Sequence, residues 1–153
     1  MIIKEVIDQA EKQNITRIIL EALPEWFGII EAREAYIKEC YNQIFFAAYD
    51  KDIQVGFICL KETGKDTTEI SVMGVLKDYH RKGIGRELFL KAKEAASKKG
   101  YSFLQVKTVK MGIHDEYDNT NSFYLSLGFK EFEVLPLLWD ENNPCQIYIM
   151  SLK

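Results

Sequence analysis

Apolar residues along the chain follow two rhythms, which exchange near residue 44. Before it, Ile15, Ile18, Ile19, Ala22 and Leu23 recur at the spacing of one helix face. Asp8 precedes that run, with Glu11 three residues later, the arrangement of a capping box. Pro24 stops the helix, residues 25–28 read as a loop, and residues 31–41 as a second helix. Ahead of both, residues 2–6 are apolar enough for a strand. From residue 44 the pattern is that of strands. Residues 44–49 form a continuous apolar run, as in a strand covered on both faces. Residues 53–60 and 67–76 follow, separated by the turn sequences Asp50-Lys51-Asp52 and Gly64-Lys65-Asp66.

The helical rhythm then returns. Ile84, Leu88, Ala92, Ala95 and Ala96 mark a long helix over residues 83–99, and Gly100 stands where a C-cap glycine belongs. Residues 101–109 read as a strand, residues 118–127 as a helix closed by Gly128, and residues 129–138 and 146–152 as two further strands. The order βααβββαβαββ predicts one mixed α/β domain over residues 1–153. Its sheet has about seven strands, mostly antiparallel, flanked by about four helices.

Composition narrows the field. With 20 Lys+Arg against 23 Asp+Glu the net charge is −3, which gives no general reason to bind nucleic acid. No stretch approaches the ~20 apolar residues of a membrane span. Charges interrupt the apolar N-terminus, unlike the apolar core of a signal peptide. Cys40, Cys59 and Cys145 are odd in number and widely spaced, which argues against a disulfide framework and a metal site. Reduced thiols and a cytoplasmic setting are expected.

The densest chemistry lies in Val75-Leu-Lys-Asp-Tyr-His80-Arg81-Lys82-Gly83-Ile84-Gly85-Arg86. A strand runs into a loop with two glycines and several cations, and the loop becomes a helix. Unpaired N–H groups at a helix N-terminus carry partial positive charge and suit a phosphate. Gly83 and Gly85 leave no Cβ to obstruct a bulky anion, and Arg81, Lys82 and Arg86 add full charges. A pyrophosphate fits this description. The loop is not a Walker sequence, and Leu88 stands at the third glycine position of a dinucleotide fingerprint.

His80-Arg81-Lys82-Gly83-Ile84-Gly85 resembles the Gln/Arg-x-x-Gly-x-Gly/Ala acetyl-CoA motif of the GCN5-related N-acetyltransferases, with His80 at the first position. Downstream, Phe123-Tyr124-Leu125-Ser126-Leu127-Gly128-Phe129 resembles the same family's Phe-Tyr-x-x-x-Gly-Phe. The resemblance in element order spans residues 2–152. It implies a transfer of acetyl from acetyl-CoA to a primary amine, in a complex holding both substrates. The strand before the loop would splay from its neighbour, so that Met73 and Val75 offer backbone groups to the cofactor, with Gly74 as a bulge. His80, Arg81, Lys82, Gly83, Ile84, Gly85 and Arg86 would hold the pyrophosphate. Tyr124 would both contact the cofactor and protonate the departing thiolate. Many members carry an asparagine seven residues before that tyrosine. That position is Tyr117 here, and Asn119 is the neighbouring candidate.

For the general base, Glu69 lies fourteen positions before Gly83, where the histone-acetylating branch has a glutamate; His114 is the other candidate. Trp26, Phe27 and Trp139, with Glu25, Asp140 or Glu141 nearby, would form an acceptor pocket for a small cationic amine. The acceptor is expected to be a small-molecule or peptide amine, with no nucleic acid or membrane partner, and the protein a monomer or homodimer. The alternative reading is a non-catalytic acyl-CoA-binding sensor or interaction module with the same fold. A nucleotide-binding domain ranks behind both.

Overall fold

The apolar run Ile44–Asp50 (β2) is a strand enclosed within a sheet, between β1 (Ile2–Glu5) and β3 (Ile53–Gly64). The computed structural model describes residues 1–153. The sheet continues through β4 (Thr67–Val75), β5 (Phe103–Val109), β6 (Lys130–Asp140) and β7 (Asn143–Ser151) in the order β1-β2-β3-β4-β5-β7-β6. Every pairing is antiparallel except β4 with β5. A parallel pair needs a crossover, and α4 (Ile84–Lys98) supplies it. The other helices are α1 (Gln9–Glu21), α2 (Pro24–Phe27), α3 (Ile30–Glu39) and α5 (Asp115–Ser126).

Alternation along the central strands divides the core in two. Phe45, Ala47, Phe57, Cys59 and Val72 pack with Ile15, Ile19, Leu20 and Leu23 of the N-terminal helices. Phe46, Ala48, Ile58, Leu60 and Ile70 pack with Ile84, Leu88, Phe89 and Ala92 of α4. Burial on both faces explains why β2 and β3 read as unbroken apolar runs.

Several expectations need correction. Residues 25–28 are not a loop throughout: Pro24 presets the backbone for a short helix, so the helices number five. In α1, Ile18 is exposed and Leu20 takes the buried place. The Asp8 cap is present, its Oδ2 accepting from Glu11 N–H at 2.8 Å. The last helix starts at Asp115, one turn before residue 118, because the Asp118 carboxylate accepts the Gly112 N–H (2.7 Å) instead of capping. Gly74 is not a bulge. It pairs in register with Phe57, and the irregularity lies at Ser71, where β4 has one residue more than β3 between the Val72–Cys59 and Ile70–Leu60 pairs. The three cysteines are buried and unbridged. Burial pushes the Cys145 thiol up to about 11, which leaves it inert. No helix is long and apolar enough to cross a membrane.

Candidate active site

Strands β4 and β5 are hydrogen-bonded only from Thr67–Ile70 against Phe103–Val106. Beyond that point β4 continues to Val75 beside β3 alone, and β5 to Val109 beside β7 alone. The two strands part, and the β5-facing edge of β4 beyond Ile70 has no strand beside it. A cleft of about 1140 Å³ opens there. It exceeds the ~300–1,000 Å³ of a usual ligand pocket, so it has room for two molecules together.

The α4 loop forms one end of the cleft. Arg81 (φ 61°) and Gly83 (φ 80°) both occupy the left-handed region, so the chain curls around its own amides. The first helical bond runs from Glu87 N–H to Gly83 O (3.0 Å), and the amides from Arg81 to Arg86 have no partner in the chain. Nothing lies within 4 Å of the place a Gly83 Cβ would occupy. Arg81 and Arg86 line the same space. Unpaired amides, a helix N-terminus and two guanidinium groups around an open glycine fit a pyrophosphate. Gly85 serves a different need: a Cβ there would stand 3.1 Å from the Phe123 ring, so it lets α4 and α5 approach.

Helix α5 forms the facing wall. Tyr124 is 6 % exposed, and its hydroxyl makes no hydrogen bond within the chain. Arg33 Nε is the sole side-chain polar atom that is both buried and without a partner. The Tyr124 oxygen therefore opens into the cleft that the residue lines. Burial, and then the Tyr36 and Tyr117 phenols, hold its pKa far above the ordinary tyrosine value, so it keeps its proton. Across the top, Trp26 Nε1 donates to Glu116 O (3.2 Å) and the Tyr117 hydroxyl donates to Trp26 O (2.9 Å). These two bonds tie α2 to α5 over the cleft.

A family model for the GNAT acetyltransferase domain matches residues 41–131. The chain belongs to the GNAT acetyltransferase family. The match spans the splayed strands, the α4 loop and the start of β6. Among solved structures, the fold is similar to the aminoglycoside 6'-N-acetyltransferase from Enterococcus faecium, at 21% identity and TM-score 0.79, covering 100% of this chain and 98% of that one. An aminoglycoside 6'-N-acetyltransferase complexed with coenzyme A aligns at 22% identity and TM-score 0.76, covering 100% and 98%. The alanine N-acetyltransferase of a ribosomal protein from Escherichia coli aligns at 16% identity and TM-score 0.74, covering 99% and 95%. No curated protein matches the chain by sequence.

Most residues singled out in the sequence of this acetyltransferase meet at the cleft. Met73, Gly74 and Val75 line it from β4, and His80, Ile84 and Gly85 from the loop and α4. Asn119 lines it from α5, and Trp26, Phe27 and Trp139 also line it. His80 turns back toward β4, its Nε2 2.5 Å from Val75 O, and packs edge-on against Trp26. Lys82 lies outside the lining, with its ammonium 5.3 Å from the Tyr79 ring centre.

Glu69 does not reach the cleft either. It is 4 % exposed, with Lys107 Nζ and Gln105 Nε2 each 2.8 Å from Oε1 and Lys61 Nζ 3.7 Å from Oε2. Its carboxylate is thus held behind Lys107, and Lys107 is what the cleft meets. His114 is outside the lining, with its Nε2 3.0 Å from Oδ1 of Asn143, which does line the cleft. Glu25 is paired with Lys77, and Asp140 accepts from Asn142 N–H and the Asn143 amide in the β6–β7 turn. Glu141 is exposed and outside the lining. Of the acids expected to attract a cationic acceptor, Asp140 lines the cleft, Glu25 is neutralised by Lys77 and Glu141 stands outside.

Sequence reading missed Arg33 and Tyr36 on α3 and Lys107 on β5, all in the lining. A signal was present for α3. Ile29, Ala32, Arg33 and Tyr36 share one face at helical spacing, and that face mixes apolar, cationic and phenolic groups where a core helix would be uniformly apolar.

Proposed function

We propose that this protein transfers acetyl from acetyl-CoA to the primary amine of an acceptor, directly, with both held in the one cleft. The observation that carries the reading is the Tyr124 hydroxyl, unpaired and opening between the free edge of β4 and the amide cradle of α4. Acetyl-CoA supplies an activated thioester. The amides of Arg81 to Arg86, with the Arg81 and Arg86 side chains, bind its pyrophosphate. The exposed edge of β4 at Met73 and Val75 orients the pantetheine arm by main-chain hydrogen bonds. The acceptor nitrogen forms the new C–N bond as the C–S bond breaks. Tyr124 gives its proton to the sulfur and regains one from the cleft water that takes the amine's proton. Calorimetric titration tests the binding. Micromolar affinity for acetyl-CoA, with none for ATP or NAD, is expected; absence of binding in folded protein overturns the proposal.

Glu69 acts here as a positioning residue for Lys107 rather than as the general base. Glu69→Gln keeps the shape and one hydrogen bond but leaves Lys107 without its near partner. It is expected to lower stability by ~1–3 kcal/mol while changing kcat less than tenfold. Chemical denaturation beside steady-state kinetics checks both. A loss in kcat of a hundredfold or more would restore Glu69 as the base. The confinement of that carboxylate is also what favours the second reading, an acyl-CoA-binding module without turnover. A protein that binds acetyl-CoA but releases no thiol with any amine would be that module.

A further inference from the structure

The acceptor half of the cleft holds a cation that the chain leaves unanswered. Arg33 projects from the face of α3 that also carries Ile29 and Tyr36 into the lining. Its side chain makes no hydrogen bond or ion pair in the chain; Nε is enclosed by protein, and the two Nη nitrogens are the ends left open. The adjacent acid, Glu34, cannot serve it, because Arg17 already grips Glu34 through two bonds of 2.8 and 2.9 Å. Glu69 is engaged by Lys107 and Gln105 and Glu25 by Lys77, while Asp140 accepts from the neutral amides of its own turn. Glu116 is the one acid of the lining whose carboxylate has no partner in the chain. The open Nη nitrogens of this half-buried guanidinium have no acid to pair with, and an anion entering the cleft supplies one.

We propose that the acceptor is a small amine that also bears a carboxylate, and that Arg33 receives this carboxylate. The inference rests on the acetyltransferase reading and narrows it. A guanidinium edge presents two parallel N–H donors, which match the two oxygens of a carboxylate. The surrounding walls, Trp26, Phe27, Tyr36 and Trp139, suit a compact, partly apolar body.

The test uses acetyl-CoA, the common free amino acids, each amino acid's C-terminal amide, and kanamycin, with thiol release as readout. Each amide retains the amine and the side chain and lacks the anion. The wild-type protein is expected to favour at least one free amino acid over its amide by about tenfold to a hundredfold in kcat/KM. Arg33→Met should abolish that preference mainly through KM, and Arg33→Lys, which keeps the charge but not the fork, should retain part of it. Neither variant should change the affinity for acetyl-CoA measured by calorimetry. Three outcomes overturn the inference: equal or better turnover of the amides or kanamycin, an unchanged preference in Arg33→Met, or no turnover of any free amino acid by protein that binds acetyl-CoA. Failure to bind acetyl-CoA at all would instead remove the acetyltransferase reading beneath it.

Discussion

Gly74→Val is expected to destabilise the fold by about 3 kcal/mol and lower the unfolding midpoint by about 6–12 °C. On propensity alone valine is the better strand residue, so the sign of this effect comes entirely from packing. Gly74 sits in register opposite Phe57. A Cβ added there would lie 3.0 Å from both Ile19 Cγ2 and Leu23 Cδ1. Ile19 and Leu23 are 0 % and 3 % exposed, so neither can move aside into solvent. Valine adds two further carbons to a space already closed to one. Because α1 must lift from the sheet, the β4 edge beside the cleft should shift too, weakening acetyl-CoA binding along with stability. Leu23→Ala in the same background makes room. The double variant should be more stable than the sum of the two single losses predicts. Differential scanning calorimetry of the four proteins decides it, and additive losses would show that the contact is not the cause.

That glycine also shows where sequence reading reached its limit. The strand rhythm, the Asp8 cap, the α4 stripe and the glycine loop are local features, and each lay within a few residues of where the structure has it. They were legible because period, cap and turn chemistry act between near neighbours. Gly74 announced that something unusual happens in β4, yet a bulge and a close approach by another helix demand the same residue. Only the distant Ile19 and Leu23 separate them. Glu69 poses the same difficulty. Its place on β4 was readable, but Lys107 and Gln105, on a strand joined by a long crossover, decide what its carboxylate can do. Arg33 escaped notice because a cation on a helix usually faces water. Its meaning depends on Arg17 having taken Glu34.

Tyr124→Phe is expected to reduce kcat by about a hundredfold, equivalent to ~2.7 kcal/mol of transition-state stabilisation, with little change in the affinity for acetyl-CoA. The hydroxyl has no partner within the chain, so its removal orphans no internal donor or acceptor. The ring retains its contacts with Phe123, Phe129 and Tyr148. The unfolding midpoint should therefore stay nearly unchanged, which separates this variant from any that harms the core. A free thiol ionises near ~8.5 and a phenol near ~10, so proton transfer between them in water would run slightly uphill. Burial raises Tyr124, which makes the transfer to a free thiolate steeper, so the proton is given as the C–S bond breaks and negative charge builds on the sulfur. The phenol remains protonated well into the alkaline range. The kcat profile should therefore show no falling limb from Tyr124 below about pH 10. A phenylalanine variant with undiminished kcat would assign the sulfur's proton to water and reduce Tyr124 to a wall of the cleft.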